Sequence, residues 1–479
     1  MLYFLIMSEN TKSLTTSTPF KTKSTGELYK WALQLAIPLM IQNLISSLVN
    51  TADTVMLGYV GQSAMAASSL ANQYTFVLHC FFFGMATATS VMCAQYWGKN
   101  DSKTIERVVG LAARISLIFS IVFTALSFFF PEIIMKLFTD SPETITIGAQ
   151  YLKVMSISFI FMAISQVYTS ALRSIGKVTF PSVVAIVSLC VNIILNATFI
   201  FGLFGMPKMG VTGVALGTVI ARLSEVILCL VYSFRCEIKF RIKYIFSRAG
   251  ILTKDFIKIC LPSIGNDLVW SLATTVFTII LGHMGDDIVA ANAVAVMVVD
   301  IGAIAERGFA NATTIVIGQT LGANLINQTK EYSAKLIRLT GYVAAAGCIV
   351  IIALRPLIMR FYSDKLSEQA IYYLGIMMFM TTYRMIGEGI NTCLICGCFR
   401  GGGDTKYGLF MDIVMMWLVS IPLMAIAAYV IKLPPIGVYF VMTLDELIKM
   451  PFIFIHYKKY TWMKNITRDE AELSANVSV

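Results

Sequence analysis

The sequence predicts an all-α polytopic membrane protein with twelve transmembrane helices in two pseudo-symmetric six-helix lobes. Three observations predict this fold class: an apolar composition, twelve long apolar segments and an internal repeat. Of the 479 residues, 57% are hydrophobic and 13% are charged, and the mean hydropathy is +0.75. The apolar segments are continuous rather than alternating, which argues against a β-barrel. Most of the chain is therefore predicted to have the lipid bilayer as its partner.

Each apolar segment is long enough for the roughly 20 residues that cross a bilayer as a helix. Several segments contain Gly or Pro, which membrane helices tolerate because neighbouring helices satisfy the freed backbone groups. In chain order, the segments cover residues 31–57, 66–92, 109–130, 148–170, 179–203, 211–234, 256–281, 288–318, 336–358, 370–396, 408–431 and 436–456.

An internal repeat divides these segments into two halves. A shift of 224 residues aligns Gly84 with Gly308, and a shift of 227 aligns Arg173 with Arg400. Because each half has six spans, an even number, the two halves have the same orientation and form a parallel repeat about an axis along the membrane normal. The predicted domains are an N-terminal tail of residues 1–30, an N-terminal lobe of 31–234, a basic linker of 235–255, a C-terminal lobe of 256–457 and a C-terminal tail of 458–479.

The distribution of basic residues predicts the orientation, because Lys and Arg in short loops are retained on the cytoplasmic side. With the N-terminus inside, the tails and the loops from even to odd spans carry 23 Lys and Arg, the opposite loops carry 5 and the spans carry 9. Both termini are therefore predicted to be cytoplasmic, in a multi-pass protein of the cell inner (plasma) membrane. The net charge of +10 is mostly this asymmetry, so it does not indicate nucleic-acid binding.

Asp53 is the first candidate functional residue, because it interrupts the first apolar span in "NTADTVMLGYVG". A charge near the membrane centre costs on the order of 2.5–3.5 kcal/mol, and ionisable residues kept there commonly serve ion or substrate pathways. The alternative is a structural acid that is protonated or hydrogen-bonded. The functional interpretation predicts polar partners on neighbouring helices.

The predicted partners of that carboxylate lie in the fifth and sixth spans. Asn192 and Asn196 are four residues apart and share one helix face, and Thr218 adds a hydroxyl. Such oxygen ligands suit a hard cation, and they equally suit a carboxylate that exchanges a proton. The set predicts a cation-coupling site for Na⁺ or H⁺. For each amide alone, ordinary hydrogen bonding between helices is the alternative.

The second half has no copy of Asp53, because the repeat places Phe277 at that position. Five acids interrupt its spans instead: Asp267, Asp300, Glu306, Glu388 and Asp412. One interpretation is a structural ion-pair network that includes Arg307 and Arg384. The other is a second coupling site or a contact with the exported drug. Three further charges near the start of the last span are predicted to be an interfacial cluster: Asp445, Glu446 and Lys449.

Motifs of other chemistries are missing from the sequence. The stretch "CLICGC" contains Cys393, Cys396 and Cys398, but no second Cys or His cluster completes four ligands, so small buried residues are predicted rather than a metal site. No hydrolase, zincin or phosphate-loop motif is present. The sequence therefore predicts neither an enzyme nor an ATP-driven pump, and it predicts no cofactor. A membrane-embedded enzyme, the alternative class, would need a nucleophile and a base within the spans.

Several stretches resemble the multidrug and toxic compound extrusion (MATE) family of secondary transporters, in the right order and over nearly the whole chain: "NTADTVMLGYVG", "LRSIGKVTFP", "VNIILNATFIFG" and "FRGGGDTKYG". The resemblance implies a V-shaped pair of six-helix lobes that exports organic, often cationic, compounds in exchange for H⁺ or Na⁺ by alternating access. It also implies that Asp53, Asn192, Asn196 and Thr218 form the cation site of the N-terminal lobe, although some members carry an acid at the position of Asn196.

The resemblance is looser in the second half. Bacterial sodium-coupled members carry acids in the seventh and tenth spans, which Asp267 and Glu388 match only approximately, since Ser271 stands where one such acid is expected. The expected partners are small organic cations, and the chain is predicted to be a monomer. A lipid-linked precursor flippase of the same superfamily is the alternative function. It would favour a cavity lined by Arg and Lys, whereas the charges in the middle of these spans are mainly acidic.

Overall fold

The computed structural model describes residues 23–247, 249–470 and 472. This part of the chain contains no β-strand. Nine of its helices are long and apolar enough to cross a membrane, and a bent pair of helices makes a tenth. The all-α polytopic fold class is therefore confirmed. Residues 1–22 and 473–479 of the predicted tails lie outside the described residues.

The first compact unit contains Ile41–Ile257 and the described residues from Thr467 onward. The helix α1 belongs to both units, because its residues through Met40 group with the second unit. The helices of this half are α1 (Thr25–Gly58), α2 (Gln62–Gly98), α3 (Ser102–Phe129), α4 (Pro131–Lys136), α5 (Pro142–Met155), α6 (Ile157–Ser174), α7 (Thr179–Phe201), α8 (Gly210–Ser233) and α9 (Ile242–Phe246).

The second compact unit contains Lys23–Met40 and Lys258–Ile466. Its helices are α10 (Ile251–Gly282), α11 (Asp286–Gly322), α12 (Ile326–Tyr362), α13 (Glu368–Thr392), α14 (Thr405–Asp412), α15 (Ile421–Ala425), α16 (Pro435–Thr443) and α17 (Asp445–Lys459). Three π-helical segments continue these helices: Cys393–Phe399, Ile413–Ser420 and Ile426–Val430. The exact boundaries of the two predicted lobes stay a prediction.

The backbone shows the same repeat as the sequence. Gly61 precedes α2 with a φ of +145°, and Gly285 precedes α11 with a φ of +123°. The left-handed region favours glycine because a side chain would clash there. Asn100 and Asn324, which follow α2 and α11, are also left-handed, with φ of 62° and 60°. Both pairs are 224 residues apart, so the repeated residues include those that turn the chain between helices.

Local signals explain where several helices begin. Asp101 precedes α3, and its carboxylate accepts a hydrogen bond from the backbone N–H of Thr104 at 3.0 Å. Ser367 caps α13 in the same way through the N–H of Ala370, also at 3.0 Å. Such side chains satisfy backbone donors that have no partner within the helix.

The predicted interfacial cluster at the start of the last span is wrong. Asp445, Glu446 and Lys449 are buried, with exposed fractions of 6%, 7% and 3%. The last span is divided into α16 and α17, and the two acids stand in the first turn of α17, where the helix dipole stabilises negative charge. The lysine is compensated by Asp412, which belongs to a different helix. Hydropathy along the chain does not predict this contact between Lys449 and Asp412.

Candidate cation site

The structure brings the four predicted residues of the first half together within the first compact unit. Asp53 lies on α1, Asn192 and Asn196 lie on α7, and Thr218 lies on α8. The side-chain nitrogen Nδ2 of Asn196 donates to Asp53 Oδ1 at 2.6 Å and to Asn192 Oδ1 at 3.3 Å. Asn192 Nδ2 in turn donates to the hydroxyl of Thr218 at 3.2 Å. One hydrogen-bonded chain therefore joins all four residues, while their role in coupling stays a prediction.

The polarity and burial of this cluster suit a small cation. Asn192, Asn196 and Thr218 are buried, and Asp53 is half-buried. The carbonyl oxygen Oδ1 of Asn196 is buried without a hydrogen-bond partner among the described residues. Because buried polar atoms are nearly always hydrogen-bonded, such an atom calls for a ligand or another explanation. An unpaired amide oxygen in a cluster that also contains a carboxylate is a ligand of the type that hard cations prefer.

Two glycines of α8 allow α7 to approach this closely. A Cβ atom on Gly213 would lie 2.6 Å from the Cβ of Phe199, and a Cβ on Gly217 would overlap Asn196 Oδ1. The stretch "GVALG" is a G-x-x-x-G motif, which is typical of close helix contacts in membranes. Sequence reasoning did not include Gly217 in the site, although this motif was the available signal.

We expect Gly217→Ala to weaken cation binding, because the added methyl group displaces Asn196 from Asp53. Loss of one hydrogen bond to a charged group costs about 1.5–3 kcal/mol, which corresponds to roughly tenfold or more in affinity. The measurement is the ion concentration that gives half-maximal transport. Gly341→Ala is the matched control, since nothing lies within 4 Å of its added Cβ. Identical ion titrations for the two variants would remove Gly217 from the site.

An ion pair lies on α8, one turn beyond the cation site. Arg222 Nη1 is 2.8 Å from Glu225 Oε1, and the hydroxyl of Ser165 donates to Glu225 Oε2 at 3.0 Å. The guanidinium of Arg222 is therefore compensated by an acid of its own helix. Neither residue was predicted from the sequence to be functional. Opposite charges three residues apart are also common on exposed helix surfaces.

The acids of the second unit differ in how they are compensated. Asp267 is 3.0 Å from Arg400, Glu388 is 3.5 Å from Arg384, and Asp412 is 3.0 Å from Lys449. These three residues support the ion-pair interpretation.

Asp300 also has a basic partner, Arg307, at 3.4 Å, but the pair is open to solvent or lipid, with exposed side-chain fractions of 63% and 50%. Exposed ion pairs contribute about 0–1 kcal/mol to stability in water. This acid is therefore neither buried nor tightly held.

Glu306 is the exception among the five acids, because each of the other four has a basic partner and no ion pair among the described residues includes Glu306. It is 2% exposed, and its Oε1 has no hydrogen-bond partner among the described residues. The carboxylate packs against α13 at Gly389, where an added Cβ would be 3.0 Å from Oε1. An acid buried without a neutralising hydrogen bond is costly unless it is protonated or binds a cation. The sequence presented Glu306 as one of five equal candidates, and only the packing distinguishes it.

The cysteines of "CLICGC" pack inside the second unit. The π-helical segment Cys393–Phe399 buries Cys393 and Cys398 and leaves Cys396 half-buried. The hydroxyl of Thr340 donates to Cys393 Sγ at 3.3 Å. These contacts agree with the prediction of small buried residues.

Comparisons with known proteins add a family to this geometry. The chain is 24% identical over 454 residues to the probable multidrug resistance protein YoeA of Bacillus subtilis, covering 93% of this chain and 97% of the relative. It is also 24% identical over 460 residues to the probable multidrug resistance protein NorM of Thermotoga maritima, covering 93% and 96%.

Solved structures show the same fold at lower identity. The fold matches a MOP superfamily transporter from Pyrococcus furiosus with a TM-score of 0.81 at 19% identity, covering 96% of this chain and 100% of the other. It also matches the bent form of the Vibrio cholerae MATE transporter VcmN with a TM-score of 0.83 at 17% identity, covering 91% and 97%. The family model MatE matches residues 38–198 and 262–426, which is more than half of the chain, and the protein therefore belongs to the MATE family of membrane transporters.

Proposed function

We propose that this protein is a secondary antiporter that exports organic cations in exchange for Na⁺ or H⁺. The observation that carries the proposal is the hydrogen-bonded chain of Asp53, Asn196, Asn192 and Thr218, in which Asn196 Oδ1 is buried without a hydrogen-bond partner among the described residues. In this mechanism Asp53 holds the coupling ion, and the two amides and the hydroxyl position it. Relatives named multidrug resistance proteins support export of drugs or toxic metabolites.

The arrangement of the site supports a coupling role because occupancy changes its charge. With Asp53 ionised and no cation bound, a negative charge remains within a membrane helix, which is unfavourable. A bound Na⁺ or a proton neutralises it, so the site has two states of different charge. A ligand shifts a conformational equilibrium only through different affinities for the two states. Transport follows if one access state favours the neutral site and the other favours its discharge into the cell.

The charges of the second unit support a cationic substrate. Its described residues include five buried acids and two buried bases: Glu306, Asp404, Asp412, Asp445 and Glu446 against Arg400 and Lys449. An anionic phosphate headgroup, the substrate of the flippase alternative, would require the opposite excess. Among the acids, Glu306 is the first candidate for a second coupling site or for contact with the drug, and Asp267, Glu388, Asp300 and Asp412 follow, because each of those has a basic partner.

The experiment that tests this function uses purified protein in proteoliposomes and a fluorescent organic cation. A Na⁺ gradient and a pH gradient are imposed separately, at zero membrane potential. We expect one of the two gradients to drive substrate against its concentration, and an ionophore that dissipates that gradient to stop it. Substrate movement that follows neither gradient would contradict antiport. No other cofactor is included, since the proposed mechanism requires only the coupling ion.

We also propose an orientation of the chain in the membrane and a monomeric state. Both termini are cytoplasmic, as the 23-to-5 distribution of basic residues between the two sets of loops indicates. The chain acts as a monomer, which is consistent with a cation site supplied wholly by one unit of one chain. In a background without reactive native cysteines, cysteines near Lys103, Arg241 and Lys330 are expected to be shielded from impermeant thiol reagents added to intact cells. Labelling at all three would invert the orientation.

A further inference from the structure

Lys449 is a buried cation within the last membrane span of the second unit. It is 3% exposed. Its ammonium Nζ lies 3.0 Å from Asp412 Oδ1 and 3.5 Å from Glu446 Oε1. These carboxylates belong to α14 and α17. Lysine is almost never fully buried unless it is paired, so this position keeps its charge by contact with two acids.

The two carboxylates that contact this ammonium also accept hydrogen bonds from side-chain amides, through their other oxygens. Asn266 Nδ2 donates to Asp412 Oδ2, and Asn391 Nδ2 donates to Glu446 Oε2 at 2.7 Å. The side-chain oxygen of Asn391, Oδ1, is buried without a hydrogen-bond partner among the described residues. Carboxylates, amides and an unpaired amide oxygen are the same groups that form the candidate cation site of the first unit.

The repeat relates the two clusters at two positions, and it places Val419 and Leu423 where the first unit has Asn192 and Asn196. The shift of 227 residues that aligns Arg173 with Arg400 also aligns Thr218, a member of the candidate cation site, with Asp445. The same shift aligns Arg222 with Lys449. The basic residue therefore stands at one position of the repeat in both units, one turn beyond the position that supplies an oxygen.

The partner of this basic residue differs between the units. In the first unit Arg222 pairs with Glu225 of its own helix at 2.8 Å, and Asn196 Oδ1 stays unpaired. In the second unit the position of Glu225 is occupied by Phe452. Lys449 has no acid at that place and contacts Asp412 and Glu446 instead. An ammonium group is a compact point charge that prefers oxygen partners. A hard monovalent cation has the same preference.

We propose that Lys449 is a tethered cation that fills the second unit's counterpart of the cation site. The inference rests on the coupling site proposed for the first unit and extends it: Asp412, Asp445 and Glu446 bind no inorganic ion while the ammonium is in place. Tethering gives this cation a high effective concentration at the acids, so a dissolved ion does not compete well. Glu306 and Glu388 are then the acids of the second unit that are left for a proton or the drug.

The test is carried out in an Asp53→Asn background, which removes the proposed ion site of the first unit. Purified protein with or without Lys449→Met is melted in NaCl and in choline chloride at equal ionic strength and at several pH values. The parent is expected to have the same melting temperature in both salts. The Lys449→Met variant is expected to melt several degrees higher in NaCl, with a saturable dependence on Na⁺, because an ion that binds only the folded state stabilises it.

Matched variants separate ion binding from general damage. Asp412→Asn combined with Lys449→Met lowers the number of acids and is expected to lose most of the Na⁺ response, and Lys432→Met, at an exposed lysine between spans, is expected to show none. Lys449→Gln keeps a polar side chain without the charge, and it replaces Lys449→Met if that protein does not fold. All variants are purified in the presence of Na⁺ before they are melted in either salt.

Two results would overturn the proposal. One is a folded Lys449 variant whose melting temperature is the same in Na⁺ and choline. A melting temperature that depends on pH alone has the same meaning, because a proton on the acids would then replace the ammonium. The other is a Na⁺ response of the Asp53→Asn parent that Asp412→Asn abolishes, which would show that the second site is already open. Failure of the proposed function is a different result, because it appears as gradient-independent transport by the wild type.

Discussion

The Asp53→Asn variant is expected to lose all coupled export. Asparagine keeps the size of the side chain and a hydrogen bond to Asn196, but it removes the charge that changes when an ion binds or leaves. Without that change, an ion gradient supplies no free energy to transport. In proteoliposomes the substrate should reach electrochemical equilibrium and accumulate no further under either a Na⁺ or a pH gradient. The measurement is the steady-state substrate ratio across the membrane.

The control for this variant is Asp140→Asn, which neutralises an exposed acid between α4 and α5. It should leave the steady-state ratio unchanged. Insertion and folding are checked by the elution profile and melting temperature of both purified proteins. Wild-type accumulation by a well-folded Asp53→Asn protein would place the coupling ion elsewhere and reduce Asp53 to a structural acid.

Glu306→Gln is expected to produce the second largest effect, because the stoichiometry limits the drug gradient. One monovalent cation entering down 100 mV releases about 2.3 kcal/mol, and a tenfold concentration gradient adds about 1.4 kcal/mol. A monocationic drug that leaves consumes about 2.3 kcal/mol. One-for-one exchange therefore sustains about a tenfold drug gradient, and a second ion adds about 3.7 kcal/mol, or several hundredfold.

The two roles of Glu306 give different results in this variant. If Glu306 holds a second ion, the charge moved per drug falls by one and the limiting drug gradient falls several hundredfold. If it contacts the drug, the dissociation constant of the drug rises and the charge ratio is unchanged. Asp286→Asn is the matched control, because Asp286 lies on the same helix but is exposed. Should Glu306→Gln alter neither quantity, Glu306 is a structural acid.

Much of the first unit's candidate site was predictable from the sequence. Asp53 is conspicuous because a carboxylate within a long apolar segment has a large solvation cost whatever the fold. Asn192 and Asn196 share a helix face because the α-helix has 3.6 residues per turn. That α1, α7 and α8 meet at these positions was an implication of the family resemblance. The spacing of the residues along the chain does not predict this meeting of helices, which is seen in the hydrogen bonds of Asn196.

The buried charges of the second unit were less predictable. Asp445, Glu446 and Lys449 were assigned to the membrane surface because three charges within five residues are too costly in lipid unless they are paired. The pairing comes from Asp412 and Asn391, which are distant in sequence. Likewise, Glu306 differs from Asp267 only in what lies opposite its carboxylate. Such contacts between helices are absent from any pattern along the chain.

The sequence by itself determined the membrane environment, the duplication and the acid of the first unit, because these follow from solvation free energy and from periodicity along one chain. The tertiary structure alone decided which charges are compensated. Compensation depends on distances of about 3 Å between side chains of different helices, and packing of small residues such as Gly217 and Gly389 sets those distances. The distinction between Asp53, Glu306 and Lys449 is therefore a property of helix packing.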